Sequence, residues 1–370
     1  MHAVDGTARI PHDGGMDLDV ITEFDAGAPF ERARTPPSPW YREAAVLRLE
    51  RERVFGRHWS AVARAEQVAS PGAYVAGQLA DQPFVVVRGE DGALRAFHNV
   101  CRHHATAVAD GVGSCAELVC PYHGWTYGLD GALRKAPRLG RVEGFDVADF
   151  GLAPMNVAAW GPLVFVSLSD RPRDLARDVA PLEARVSAES LSSLRFVERR
   201  TYRLRCNWKV FCDNYLDGGY HVPHMHRELA VKLDLDAYSI EVFDRMSIQG
   251  SPGTGDARLG DDAVYAFMHP NLMINRYGPW LDVDVVTPVD AETCEVTMEW
   301  WLDDAAGLGE AEIARQLMES ERVQAEDVTV SESVQRGLRS VSYRSGRYAA
   351  PERAMYEFHR WLHEDFTTSQ

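Results

Sequence analysis

The sequence predicts an α+β protein, with a small all-β region set ahead of a larger region of antiparallel strands and long helices. Three observations carry this. Between about residues 58 and 168, short apolar runs alternate with turn signals; after residue 194 the runs lengthen and alternate apolar with polar residues; and two late stretches, roughly 309–340 and 351–366, repeat apolar residues at helical spacing.

In chain order, "MHAVDGTARIPHDGGMDLD" is polar and has no apolar h-region, so it does not read as a secretory signal. With the stiff "RTPPSPW" (34–40) it makes residues 1–39 a mobile lead-in and linker. "YREAAVLRLERERVF" predicts a helix over 41–55, and 40–57 is assigned to the larger domain. "AYVAG", "PFVVV" and "RAFHNV", with the turn "RGEDGAL" before the last, begin a β domain over 58–168 that closes on "NVAAWGPLVFVSL". The charged "SDRPRDLARD" (169–178) marks a boundary, leaving 169–370 as the second domain. There "LRFVERRTYRLR", "NLMINRYGPWLDVDVVTPV" and "CEVTMEWWLD" predict antiparallel strands, and "SPGTGDARLGDD" (251–262) a flexible loop.

Composition narrows the function. The chain has 370 residues, enough for two domains, and a net charge of -16. An acidic surface argues against nucleic acid, which needs a basic face. No apolar run reaches the length of a membrane span, since "VAAWGPLVFVSL" is broken by Gly161 and Pro162. Six scattered cysteines are too few for a disulfide framework, which makes the cytoplasm the default location.

The β domain holds Cys101-Arg-His103 and then Cys120-Pro-Tyr-His123, each offering one thiolate and one imidazole. Such a set can hold a structural zinc. It also suits a Rieske [2Fe–2S] cluster, with two cysteines on one iron and two histidines on the other. The flanks favour the cluster: Pro121 and Gly124 permit tight loops, and "GWTYGLDGAL" continues as a hairpin. Cys115 and His104 fit neither loop, and Cys115 reads as a buried thiol.

A Rieske cluster only carries electrons, so a second site must use them. "YHVPHMH" (220–226) offers three histidines. The commonest open iron site is two histidines and a carboxylate on one face. His221 and His226 are five apart, about 140° around a regular helix, so the backbone must be distorted between them, and Pro223 supplies a reason. His224 is the competing ligand, read instead as a pocket or hydrogen-bonding residue. For the carboxylate, Val323, Asp327, Val330, Val334 and Leu338 form one helical stripe, apolar except for Asp327. An acid on such a stripe is costly unless paired or metal-bound. Its neighbour Glu326 turns about 100° away and reads as solvated.

Taken together, "TPPSPWY", "AFHNVCRHHA", "CPYHGWTYGLDGAL", "NWKVFCDNYLDGGYHVP", "LDLDAY", "NLMINRYGPW" and "VQRGL" resemble the α subunits of Rieske non-haem iron oxygenases, nearest the choline monooxygenase branch, over about residues 35–349. The resemblance implies a Rieske β domain inserted into a helix-grip catalytic domain, a curved antiparallel sheet gripping a long helix. It implies Cys101, His103, Cys120 and His123 on the cluster, His221, His226 and Asp327 on a mononuclear Fe(II), and Asn214 close to that iron. It further implies a ring of subunits, usually trimeric, in which an acid bridges one subunit's cluster to its neighbour's iron. The usual bridging position, three residues before the first iron histidine, is Gly218 here; Asp217 is the choice for the bridge and Asp213 the fallback.

The expected reaction is reductive O₂ activation, with one oxygen atom entering a substrate C–H bond and the other leaving as water. No dinucleotide or flavin motif appears, so a separate NAD(P)H-dependent reductase, with or without a ferredoxin, must supply electrons. "RKAPRLGR" (134–141) is a basic surface that could dock an acidic ferredoxin or be an ordinary hairpin end. The small substrate expected is choline, giving betaine aldehyde; glycine betaine, carnitine and biosynthetic or aromatic substrates are the alternatives, and a Rieske electron carrier without catalytic iron is the competing class. A quaternary ammonium is held best by aromatic faces and a nearby acid. Tyr265, Phe267, Tyr277, Trp280, Trp300 and Trp301 are available, though alternation lets only some face inward.

Overall fold

The computed structural model describes residues 19–256 and 258–368. A seven-stranded antiparallel sheet is built from residues 60–167, in the order Ser60–Arg64, Leu163–Ser167, Pro154–Trp160, Leu94–His98, Gln82–Arg88, Ala73–Leu79 and Val112–Ser114. A three-stranded sheet (Leu118–Val119, Thr126–Tyr127, Leu133–Lys135) stands on it. Val85, Val87, Phe97, Trp125 and Tyr127 fill the space between, anchoring the loops that carry the Cys-His pairs.

The second domain is one seven-stranded antiparallel sheet. Its order is Arg195–Leu204, Thr293–Leu302, Trp280–Asp290, Leu272–Tyr277, Gly260–Met268, Met246–Asp256 and Ser239–Phe243. Alternation along each strand gives the sheet two faces. Ile248, Ala266, Ile274, Leu281, Val283 and Trp301 face Trp59, Trp160 and the helix Leu175–Glu183, joining the two domains. Phe267, Met273, Tyr277, Trp280, Met298 and Trp300 face the helices Trp208–Tyr215, Glu310–Leu338 and Arg353–Thr367. This is the helix-grip arrangement, and the sheet–helix layer is where the second site lies.

Several expectations are corrected. Residues 1–18 lie outside the described residues, but 19–39 are no free linker: Ile21 and Phe24 are buried in the core of the second domain, and Arg34 bridges to Arg347. The helix expected over 41–55 does form, from Ala44, as about two turns of α-helix, Ala44–Glu50, widening into a π turn, Arg51–Phe55. The segment 251–262 is mostly hairpin, not flexible loop, paired at Ser251↔Ala263 and Pro252↔Asp262 and again, after a shift of register, at Asp256↔Gly260. Turn chemistry hid it: Asp256 Oδ1 accepts the N–H groups of Arg258 and Leu259, and Gly260 takes φ +70°, where a Cβ would stand 2.9 Å from the Gly278 Cα. The long helix buries the expected stripe only in part, Leu338 fully and Val323, Asp327 and Val330 halfway, and buries a polar stripe beside it more deeply. Gln316, Ser320, Gln324, Ser331 and Gln335 are buried, whereas Val334 is exposed.

Candidate active site

The first cradle is made by two loops. Loop closure comes from Ala105 N–H to Cys101 O (2.9 Å) and Gly124 N–H to Cys120 O (3.0 Å), with Gly124 at φ +73°. Asn99 Oδ1 accepts the N–H groups of Val108 and Ala109, pinning the base of the first loop. Cys101 and Cys120 are both buried and free, and the His103 and His123 rings lie 4.7 Å apart above them. His103 stacks on Trp125 at 4.7 Å and 5°. Burial opposes ionisation of Cys101, but the Tyr127 hydroxyl and the backbone N–H of His103 outweigh it and hold the thiol below its usual pKa. Two thiols, one favoured as thiolate, together with a buried His103 Nδ1 that has no hydrogen-bond partner, fit a [2Fe–2S] cluster. His104 rests against His103 on the exposed side.

The second cradle starts from the helix Trp208–Tyr215, capped by Asn207, whose side chain accepts the Lys209 N–H. Lys209 is fully buried and paired with Glu50, which also accepts from Trp208 Nε1; this ties the helix to the end of the distant helix Ala44–Glu50. After Leu216 the chain reverses through Gly218 and Gly219, at φ +71° and +74°. It then makes one helical turn, Val222–Met225, with His221 as its N-cap and His226 as its C-cap. Pro223 does not distort a helix, as the spacing had implied. It sits at the start of the turn, where its missing N–H costs nothing, and the turn ends because His226 leaves helical geometry at ψ 62°. Both rings therefore project to one side, with centroids 4.9 Å apart. His224 points to solvent.

Asp327 approaches from the long helix. Its Oδ1 lies 3.0 Å from His226 Nε2 and 3.8 Å from His221 Nε2, and accepts from Asn214 Nδ2 at 2.7 Å. Three ligand atoms thus converge within 4.8 Å of one another. Burial disfavours a charged His226, yet Asp327 and Glu326 outweigh it and lift its pKa to about 9. A spot that attracts a proton this strongly between imidazole and carboxylate fits a divalent cation in its place.

The other acids are sorted by the fold. Asp217 Oδ2 meets His221 Nδ1 at 2.6 Å and accepts the His221 N–H at 3.0 Å, while Oδ1 takes the Tyr220 N–H. Asp213 is committed elsewhere, to Tyr41 and His359. Gly218 explains the displaced acid: a Cβ there would stand 2.2 Å from Pro351 O and 2.7 Å from Ile240 Cδ1, so no side chain fits that position. Among the described residues, no hydrogen bond joins Asp217 to His103 or His123. Glu326, expected to be solvated, instead places Oε2 2.6 Å from His226 Nδ1. The His226 turn packs over that flank of the helix, which a helical wheel does not show.

Beside these ligands lies a cavity of about 170 Å³. Of the aromatic residues expected to be available, Tyr265 and Tyr277 line it; Phe267, Trp280 and Trp300 are core on the same face, and Trp301 faces the other way. Tyr215 and Tyr238 also line it, as do Arg258, Asp282 and Asp284, none of which the sequence singled out. The available signal was "LDVDV", two acids in phase with the inward aromatic positions of the neighbouring strands.

Residues 58–146 match the family described as Rieske [2Fe-2S] domain, and residues 191–367 match the ring hydroxylating alpha subunit (catalytic domain). The chloroplastic choline monooxygenase of Arabidopsis thaliana is 45% identical over 363 residues, covering 94% of this chain and 86% of that protein. The carnitine monooxygenase oxygenase subunit of Acinetobacter pittii is 29% identical, covering 91% of this chain and 90% of that protein. The solved structure of the quaternary ammonium Rieske monooxygenase CntA with L-carnitine is similar at TM-score 0.80 and 26% identity, over 91% of this chain and 97% of that one.

Proposed function

This chain belongs to the choline monooxygenase branch of the Rieske non-haem iron oxygenase α subunits, and on that premise we propose that it hydroxylates choline to betaine aldehyde. The observation that carries the choice is the small, tyrosine-walled cavity opening onto His221, His226 and Asp327, in a chain whose curated relatives act on quaternary amines. A pure electron carrier would need no such second site.

A cluster and a mononuclear iron, once bound, would supply one-electron transfer and O₂ reduction, the chemistry by which two electrons and two protons put one oxygen atom into a substrate C–H bond and release the other as water. The residues of this chain prepare for that chemistry. Cys101, Cys120, His103 and His123 would hold the cluster. Asp217 and Glu326 each accept the Nδ1 proton of one iron histidine, fixing the tautomer that presents Nε2 to the metal. Asn214 holds Asp327 in place. The Asp217 carboxylate is also the link toward a cluster, and its lack of a partner from its own Rieske domain supports a homo-oligomer, a trimer by family expectation, in which a neighbour supplies the cluster. The exposed Tyr220, Val334 and Tyr343 offer a surface for that neighbour, and a related solved structure is described in terms of inter-subunit electron transfer.

Rieske oxygenases take electrons from a reductase or ferredoxin, and the same is read here. Among the described residues no helix is long and apolar enough to cross a membrane, and the cytoplasm stays our reading of where the chain works. The test is O₂ uptake with a surrogate reductase, measured against product for choline, glycine betaine and carnitine. Choline should give one betaine aldehyde per O₂ consumed. Coupled turnover of another amine with uncoupled uptake for choline would replace the substrate; no coupled turnover with any of them would overturn the amine class.

A further inference from the structure

The cavity wall has a polarity beyond that of the metal ligands. Asp282 and Asp284 are alternate residues of the strand Trp280–Asp290, so both point to the helix-covered face, and both line the cavity. Each is about 95% buried, at 5% exposure. Each has one oxygen spent on the wall: Asp282 Oδ2 accepts from the Tyr277 hydroxyl at 2.5 Å, and Asp284 Oδ2 accepts from Asn275 Nδ2 at 3.2 Å. The second oxygens, Asp282 Oδ1 and Asp284 Oδ1, have no hydrogen-bond partner. Buried carboxylate oxygens are rarely left so, because an unsatisfied polar atom costs about 1–3 kcal/mol.

The surroundings do not neutralise the pair. Arg258 is the only basic side chain among the residues lining the cavity apart from the metal-site histidines, and it is held on the Tyr277 hydroxyl and Ser320 Oγ. It faces Asp282, not Asp284. Burial accordingly raises both acids: Asp282 to about 6, with Arg258, Tyr277 and Trp300 opposing, and Asp284 well above its usual range, reinforced by Asp282 and Asp327. Several donors on this wall are already used, although the Trp300 Nε1 beside Asp282 is itself unpartnered. Tyr215 donates to Asn275, Tyr238 to Gln249, and Gln249 to the Tyr215 carbonyl. The opposite wall has the reverse character. Gln324, one helical turn before Asp327, is buried with its amide nitrogen unpartnered. A ligand that is cationic at one end and carries an oxygen at the other matches the two walls.

We propose that Asp284, with Asp282 beside it, is the counter-charge that seats the cationic head of the substrate against the tyrosine faces, so that the oxygen-bearing end is directed toward Gln324 and the metal ligands. This deepens the quaternary-amine reading and rests on it. A trimethylammonium group donates no hydrogen bond, so the attraction is Coulombic: the arriving cation must take the place of the proton that burial favours on the carboxyl, which is released to water, and the aromatic faces add to the attraction. Binding would then discriminate by charge more than by shape.

The experiment compares choline with 3,3-dimethylbutan-1-ol, its neutral carbon isostere, by calorimetric titration of anaerobic holoenzyme. Wild type should bind choline at least about tenfold more tightly than the isostere. Asp284→Asn should erase most of that preference by weakening choline binding, leaving the isostere's Kd within about twofold; Asp282→Asn should act in the same direction. Iron content and thermal midpoint of each variant report whether the site is intact. Equal wild-type affinity for the two ligands overturns the inference whatever the variants do. So does an Asp284→Asn protein, folded and iron-loaded, that keeps the preference or loses both ligands alike. The wild-type coupling assay separates the two claims: coupled choline turnover with no charge preference would sink the carboxylate role and leave the substrate reading standing.

Discussion

Glu326→Ala tests whether the carboxylate on the far side of His226 belongs to the metal site. The His226 ring is 2% exposed, its Nε2 faces Asp327, and its Nδ1 meets Glu326 Oε2 at 2.6 Å. Removing Glu326 leaves a buried N–H without an acceptor, a cost of about 1–3 kcal/mol, and frees the ring to present the wrong nitrogen. Outer carboxylates on metal-bound imidazoles typically account for about 10–100-fold in metal affinity, which at RT ln 10 is about 1.4–2.7 kcal/mol. The two routes agree. Glu326 is itself 36% exposed, so water can partly replace it and the lower half of that range is expected. Glu326→Gln retains an acceptor oxygen and should lose less. The assay is dialysis against a graded ferrous chelator, followed by iron counting, with the Rieske absorbance as an internal control for the cluster irons. Glu326→Ala should release the mononuclear iron at about tenfold lower chelator activity than wild type. Release at the wild-type point would refute the assignment, and so would parallel loss of the cluster.

Two further outcomes follow from the geometry. Gly218→Ala forces a Cβ into Pro351 O at 2.2 Å and Ile240 Cδ1 at 2.7 Å in a left-handed conformation, which should cost about 2–5 kcal/mol and push Asp217 off His221; a thermal midpoint and electron-transfer rate unchanged from wild type would show that the turn yields freely. Burial, partly opposed by Asp365, pushes His269 down to about 3, so this ring is neutral in the fold, whereas the unfolded chain takes up a proton below about pH 6.5; stability should fall as pH drops from about 6.5 toward 3, by about 2 kcal/mol at pH 5, and His269→Gln should flatten the urea midpoint between pH 7 and 5.

The two ligand sets differ in how far the chain alone reveals them. Cys101-x-His103 and Cys120-x-x-His123 are legible because each loop carries its ligands within a few residues, and local backbone geometry aims them. His221 and His226 are legible for the same reason, although the turn between them is a single capped helical turn and not a proline-bent helix. The stripe argument singled out Asp327, and the fold brings its Oδ1 to 3.0 Å from His226 Nε2, although the stripe itself is only partly buried. The helix face buried deepest is polar, from Gln316 to Gln335, because part of it lines a cavity rather than filling a core.

What the sequence by itself determined is the family chemistry, a Rieske cluster with a mononuclear iron, and the alternation of strands and helices around it, since the motifs that carry it are written in short-range spacing. What only the tertiary structure decided is which neighbours touch those ligands and what fills the space beside them. Glu326 against His226, Gly218 under Pro351, and Asp282 and Asp284 across the cavity from Gln324 are pairings between segments far apart in the chain. Their contacts follow from how a curved sheet closes on a long helix, and residue spacing along one strand or one helical wheel contains no record of what packs across from it.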